Sequence, residues 1–328
     1  MGEKYAIYNP NNLRKVILVM YFPRISIGIP VYNEQENIQK LLLSILCQKG
    51  VNIREIIIIN DGSTDNTLKK IMEISSIIER DIVLKVINLR HNIGKANALN
   101  IIFRIASSEY LVLLDSDVIL MDEYTLKRLV YPLIKNEDIG LVSGWYEISS
   151  YSSINMSVFN KIITWAYKFS AKLLKEIGSN FGVYGATGAI MAVPRNIYKE
   201  LQLPTNMLRD DLYVYLDVLS KNKKFVFQPN AKVIVHINPT LKNYLRYQVR
   251  VRSIPKDIII GFGNIAQEEL RKPPYSMLLL TLLRLSIKYP LEGISWVLLK
   301  VISLIYIKYL KNIKISVRWR ARKEGINE

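Results

Sequence analysis

Between residues 25 and 120 the chain alternates short unbroken apolar runs with stretches whose apolar residues recur every third or fourth position. ISIGI (25–29), EIIIIN (55–60), IVLKVIN (82–88) and YLVLLD (110–115) predict four strands buried on both faces. NIQKLLLSILCQ (37–48), TLKKIMEISSII (67–78) and KANALNIIFRIA (95–106) predict the amphipathic helices between them. Strand and helix in alternation give a mostly parallel sheet, whose ligands bind beyond the carboxyl ends of the strands. Asn33 and Glu34, Asp61, and Asp115 to Asp117 follow three of those ends and are expected on one edge.

The pattern changes after residue 140. GLVSGWYEI (140–148) and GAIMAVP (188–194) predict strands, with a long amphipathic stretch (154–177) between them. A helix from Asp210 to Leu219 precedes two short strands, KFVFQP (224–229) and AKVIVHI (231–237). This mixed half is expected to build the second wall of a cleft. Beyond Pro255 the sequence turns basic, apolar and helical. The organisation expected is an N-terminal extension (1–24), an α/β catalytic unit (25–255) and a basic amphipathic helical region that associates with membrane (256–328).

Composition narrows the chemistry. Half of the 328 residues are apolar, enough for one large core. Cys47 is the sole cysteine, which rules out an intrachain disulfide and a metal centre built on cysteines. Among LLLSIL it is expected to be a small buried apolar residue. The formal net charge is +17, and from Leu241 onward 17 Lys and Arg stand against 6 Asp and Glu. A surface of that sign calls for an anionic partner: lipid head groups, nucleic acid or a phosphorylated substrate. VILVMYF (16–22) is too short for a secretory signal or a membrane span and is expected to be a strand or a surface helix.

Five polar clusters carry candidate chemistry. PVYNE (30–34) offers Asn33 and Glu34 at the end of the first strand. In NDGSTD (60–65), Asp61-Gly62 makes a tight turn and Ser63 or Thr64 can cap the next helix, which leaves Asp61 to accept hydrogen bonds from a base or ribose. NIGKANALN (92–100) opens the third helix: Gly94 permits close approach, and Lys95 near a helix N-terminus favours an anion. Neither a P-loop nor a GxGxxG is present. DSD (115–117) sets two carboxylates at i and i+2 after a buried strand, a costly arrangement that Mg²⁺ or Mn²⁺ bridging to phosphate oxygens compensates. RDD (209–211) begins a helix. Asp210 and Asp211 either favour its N-terminus through the dipole, or one of them is a general base for an acceptor hydroxyl.

In this order and approximate spacing the motifs resemble those of the family 2 glycosyltransferases, which have the α/β GT-A fold; GKANALN is most similar to the branch of chitin, hyaluronan and cellulose synthases. The resemblance covers about residues 25–252. It implies an inverting, metal-dependent transfer from a nucleotide-sugar, a UDP-sugar first, to a hydroxyl of a glycan or lipid-linked acceptor. By the same resemblance Glu34 and Asp61 contact the nucleotide, Pro30 and Tyr32 belong to the nucleotide-sugar site, Lys95 sits near the diphosphate, and Asp115, also of that site, forms the DxD pair with Asp117. Asp117 holds the metal with His236 as a further ligand, Asp211 beside Asp210 is the base, and GATGA (185–189) lines the acceptor side. Two departures stand out. Asn60 occupies the first position of the family's DDGS. The QxxRW motif of the processive synthases is not intact: Gln248 is followed by VRVRS, so Arg250 and Arg252 fall at other offsets. Both remain candidates for diphosphate contact, and long-chain synthesis is not expected.

SMLLLTLLRLSI (276–287) and ISWVLLKVISLIYI (294–307) are each shorter than the roughly 20 residues of a spanning helix, and a charge breaks each of them, Arg284 and Lys300. They are expected to be interfacial helices on an anionic leaflet, holding the protein peripherally or monotopically on the cytoplasmic face of the cell membrane. Helices packed on the catalytic unit are the alternative. Two other readings are weaker. A sugar-phosphate nucleotidyltransferase wants a Gly-rich, Arg-containing signature where PVYNE stands. A nucleic-acid-binding protein wants exposed aromatics, whereas this tail interleaves its charges with Leu and Ile, so nucleic acid is not an expected partner.

Overall fold

The computed structural model describes the backbone of residues 3–7, 17–78, 81–150, 156–205, 207–252, 256–271 and 273–309. At the N-terminus β1 (Glu3–Ile7) and β2 (Ile17–Tyr21) form an antiparallel pair, so the VILVMYF run is a strand. The chain continues through β3 (Arg24–Val31), α1 (Ile38–Leu46), β4 (Asn52–Asn60), α2 (Thr67–Ser75), β5 (Val83–Asn88), α3 (Lys95–Ile105) and β6 (Tyr110–Leu114). Then come β7 (Val118–Leu120), α4 (Thr125–Lys135), β8 (Ile139–Ser150), α5 (Val158–Gly178), α6 (Gly182–Gly185), β9 (Ile190–Pro194), α7 (Arg195–Tyr198), α8 (Asp210–Ser220) and β10 (Lys224–Ile237). Four helices follow: α9 (Leu241–Arg252), α10 (Lys256–Glu269), α11 (Tyr275–Lys288) and α12 (Pro290–Tyr309).

Eight strands form one sheet in the order β5-β4-β3-β6-β9-β8-β10-β7. β5, β4, β3 and β6 run parallel, as do β8 and β10. β9 is antiparallel between β6 and β8, and β7 is antiparallel at the edge beside β10. Both faces are covered. Ile56 and Ile58 of β4 join a core with α1, α4 and α5, while Ile57 and Ile59 join another with α3 and α8. That double burial is why these strands read as continuous apolar runs.

KFVFQP and AKVIVHI are halves of one strand, β10, and not two. Its register on β8 breaks between Phe227 and Lys232, where β10 takes five steps against two from Ser143 to Trp145. Pro229, which has no N–H to give, falls in this bulge. The Ala231 carbonyl there passes so close to Gly144 that a Cβ on the glycine would lie 2.2 Å from its oxygen. Cys47 is exposed, contrary to expectation, because the buried stripe of α1 is Ile38, Leu41, Leu42 and Ile45 and position 47 is the C-cap beyond it.

The last three helices pack on the α/β unit. α10 lies on α8, with Tyr213 edge-on to Phe262 and the Tyr215 hydroxyl bonded to Glu269. α11 and α12 lie on α5, where Lys172 Nζ sits 2.5 Å from Glu292 and over the Tyr289 ring. The expectation that neither C-terminal stretch is long enough to span holds for α11, at 14 residues, and fails for α12. Pro290–Lys308 is long and apolar enough, by length and composition, to cross a membrane. The helix continues beyond the apolar stretch 294–307 at both ends, and the one lysine inside it has a stem that is tolerated among apolar neighbours. The basic segment KISVRWRARK (314–323) lies outside the described residues.

Candidate active site

The loops after β3 and β4 are stitched together. Asn33 adopts a left-handed φ of 53°. Its N–H donates to Ser63 Oγ at 2.9 Å, and its side-chain oxygen accepts from the Thr64 N–H at 2.9 Å. Glu34 is buried; its N–H donates to Thr67 Oγ1 at 2.8 Å and its carboxylate accepts from Asn37 Nδ2. Ser63 and Thr64 therefore bind loop to loop and do not cap α2. The Thr67 N–H at the start of α2 donates to Asp65 Oδ1 at 2.9 Å, and Asn66 is the N-cap. Tyr32 is half-buried beside this junction.

Asp61 is fully buried, and both its oxygens are used. Oδ1 accepts from the Ile93 N–H at 2.7 Å and Oδ2 from the Gly94 N–H at 2.9 Å. Burial pushes its carboxyl above the ordinary value, against the pull of these two amides. Gly62 makes room for the same loop: at φ 70°, a Cβ would lie 2.5 Å from the His91 carbonyl carbon. Gly94 takes a φ of 92°, which glycine adopts freely, and no protein atom lies within 4 Å of a Cβ there. The loop so held presents Lys95 as the first residue of α3.

Lys95 joins three elements. Its Nζ lies 2.7 Å from Asp115 Oδ1 at the end of β6 and 2.8 Å from Asp210 Oδ2 at the start of α8. Burial works against the ammonium, but the two carboxylates outweigh it and hold its pKa well above the usual lysine range. Asp210 is pushed up, by burial first and by the nearby Asp211 and Asp115 charges, against Lys95. Asp211 moves the other way. Burial opposes its charge, yet Arg209 Nε at 3.0 Å and the Leu212 N–H at 2.8 Å, both on Oδ1, bring it below the usual carboxylate range. Pro30, Leu99, Met191 and Gly188 line the cleft around Lys95, Asp115 and Asp210.

Asp117 is 8 % exposed in the turn that leads into β7. The antiparallel register of β7 on β10 ends with Val118 opposite Val235, the residues that follow Asp117 and precede His236 in the chain. Among the described residues no group of three or more His, Cys, Asp and Glu is placed to hold a metal unaided. Asp117 and His236 are of the donor types that a hard divalent ion accepts when phosphate oxygens and water complete its shell. Arg250 is exposed on α9, and the Arg252 side chain lies outside the described residues. Sequence reasoning overlooked Arg209, whose one signal is its place immediately before the two aspartates.

The family model described as "Glycosyl transferase family 2" matches residues 26–201. A poly-beta-1,6-N-acetyl-D-glucosamine synthase of Staphylococcus epidermidis is 30% identical over 228 residues, which is 69% of this chain and 53% of that protein. A Staphylococcus aureus (strain COL) protein of the same description is 31% identical over 224 residues, 67% of this chain and 51% of that one. The chain spans about half the length of the curated relatives it matches. A solved mannosyltransferase of Pyrobaculum calidifontis, in complex with GDP-Man and Mn²⁺, superposes with a TM-score of 0.57 over 89% of both chains at 18% identity, a likeness of fold. Since the family match takes in more than half of its residues, the chain belongs to glycosyl transferase family 2 and is a glycosyltransferase.

Proposed function

We propose that the chain moves a sugar from a UDP-sugar to a hydroxyl of a glycan or lipid-linked acceptor, by a metal-dependent single displacement that inverts the anomeric carbon. One observation carries this reading: Lys95, Asp115 and Asp210 from three elements meet in a cleft at the carboxyl edge of the sheet, with Asp211 beside them. Asp211 takes the proton of the acceptor hydroxyl. Its Oδ1 is occupied by two donors, and among the described residues none reaches Oδ2. Lys95 faces the diphosphate, and Arg250 and Arg252 add positive charge from α9. Pro30, Tyr32, Glu34 and Asp61 frame the nucleotide, Glu34 and Asp61 through the loops they fix. Asp117 and His236 would hold a divalent ion, which would supply charge neutralisation for the leaving diphosphate.

The name shared by the two staphylococcal relatives makes UDP-N-acetylglucosamine the first donor to try, and the interrupted sequence after Gln248 favours few additions over a long polymer. The test is nucleotide release from a panel of UDP-, GDP- and dTDP-sugars, with Mn²⁺, with Mg²⁺ and with chelator. One UDP-sugar standing out, silenced by chelator, supports the reading. Release indifferent to metal, or a product of retained anomeric configuration, overturns it.

We further propose a monotopic seat on the cytoplasmic face of the membrane through α11 and α12, because Leu280, Ile287, Ile294 and Val301 all lie exposed on them.

A further inference from the structure

Arg209 makes two contacts that point in different directions. Its Nε lies 3.0 Å from Asp211 Oδ1, and its Nη1 donates to the Val251 carbonyl at 3.2 Å. The first partner is two residues away in the chain and the second is 42. Val251 sits in the last turn of α9, where helix carbonyls have no donor of their own. The guanidinium thus ties the first turn of α8 to the end of α9.

We propose that Arg209 is a positioning residue for sugar transfer: by clamping Asp211 Oδ1 toward the end of α9, it keeps that carboxylate ionised and aims Oδ2 at the acceptor hydroxyl. This rests on Asp211 being the base.

The charges around Asp211 make Arg209 the cation it depends on. Asp210 adjoins it in the same turn. Lys95 reaches in from α3 but is engaged by Asp115 and Asp210 at 2.7 and 2.8 Å. Tyr247 approaches Arg209 from α9. Two adjoining carboxylates removed from water share a proton unless each has its own counter-charge. Burial raises both; Arg209 reverses the effect for Asp211, while Asp210, which shares Lys95 with Asp115, stays high. The two donors on Oδ1 also fix the rotation of the carboxylate. A planar guanidinium can serve two acceptors in different directions, whereas a lysine ammonium on this stem reaches one.

The test compares Arg209→Met and Arg209→Lys with Asp211→Asn in the full chain, using the nucleotide-sugar that the release panel selects. The readouts are the pH profile of kcat, the donor KM and the thermal melt. In Arg209→Met the acid limb of kcat is expected to move up by about 1–2 pH units, since a contacting arginine lowers a neighbouring aspartate by about 1–3 units, with donor KM unchanged. Arg209→Lys is expected to leave the limb in place and to lower kcat at every pH, because the charge remains while the Val251 carbonyl loses its donor. An acid limb that stays put in Arg209→Met overturns the proposal, as does an Arg209→Lys enzyme as fast as the parent. The lysine variant decides the matter if the methionine variant does not fold. Full turnover in Asp211→Asn sinks the underlying assignment of the base. An inactive Asp211→Asn with an unmoved limb in Arg209→Met sinks the role of Arg209 alone.

Discussion

Gly188 faces Lys95 across the cleft: a Cβ built on the glycine would lie 3.3 Å from the Lys95 Nζ and 3.5 Å from Asp210 Oδ2. Any side chain at 188 therefore enters the space beside the lysine assigned to the diphosphate and the aspartate that adjoins the base. Gly188→Ala is expected to lower turnover by about tenfold, the effect of misplacing reacting groups by a fraction of an ångström, with its melting temperature nearly unchanged. Gly62→Ala should do the reverse of that separation and damage the fold itself. Its φ of 70° and a Cβ 2.5 Å from backbone leave no way to relax, at a cost of about 1–3 kcal/mol or more. Steady-state kinetics and thermal melts on both variants check the contrast.

Removing the lysine is a larger insult. Lys95→Met leaves Asp115 and Asp210 close together without their shared counter-charge. Breaking a buried pair in this way costs about 3 kcal/mol or more. The sign of its pH dependence follows from Asp210, whose folded pKa is already raised by burial and neighbouring charge. A raised carboxyl binds its proton more tightly in the folded state, so stability from it falls as pH rises through the folded value. Without Lys95 that pKa rises further. The deficit of the variant relative to the parent should thus be larger at pH 8 than at pH 5. Urea melts at the two values measure it, and equal deficits would contradict the account.

How much of this is legible in the sequence differs by residue. β3 to β6 are legible because both of their faces are buried, and with them comes the edge where Glu34, Asp61 and Asp115 gather. The partners at that edge are not. Lys95 meets Asp115 over a gap of 20 residues, and such a contact has no local signature. Asp61 reads as a carboxylate left over for a nucleotide, whereas both its oxygens hold residues 93 and 94 of a loop from another strand. β10 is cut in two by Pro229 in any local reading, because only the pairing with β8 shows that a bulge opposite Gly144 absorbs the proline. Arg209 is visible, but its second partner in α9 is not.

Far from the cleft, Glu55 tests the frame that holds it. It is buried near the amino end of β4, accepting from Ser26 Oγ at 2.5 Å, the Ser107 N–H at 2.6 Å and Lys85 Nζ. Burial works to raise its pKa, but Lys85, Ser26 and Ser107 together lower it. On acidification the unfolded chain takes up this proton first. The contribution of Glu55 is therefore complete above the ordinary glutamate value of about 4.3 and is lost as pH falls through the lower folded value. Glu55→Gln is expected to lose about 2–3 kcal/mol at pH 7 and to show a flatter fall in stability between pH 5 and 3. Denaturant unfolding across that range decides; a variant with the parent's slope would exclude Glu55 as a source of acid lability.

The outer faces of α11 and α12 carry the last prediction. Leu280, Ile287, Ile294 and Val301 are each more than half exposed, while Thr281, Leu285, Ser295, Leu299 and Ser303 turn inward. Burying one such apolar side chain is worth about 1.5–3 kcal/mol, and a row of them left in water marks a surface that something covers. A lipid interface fits the neighbouring cations: Arg284 and Lys288 border the row on α11, and each basic residue near an anionic leaflet adds about 1 kcal/mol. Arg284, mostly exposed, is also paired with Glu176 of α5, and Lys300 is engaged from α9, its Nζ 3.3 Å from Gln248 Oε1. On this account the protein floats with vesicles in proportion to their anionic lipid, less so at high salt. Replacing Leu280, Ile287, Ile294 and Val301 together by Gln should release it while leaving its melt unchanged. Alkaline carbonate should strip the parent from the vesicles, because interfacial helices are held by one face only. Binding that survives carbonate would instead make α12 a spanning helix, as its length permits. A protein that ignores vesicles of every composition would leave the apolar row to a protein partner and remove the membrane from the picture.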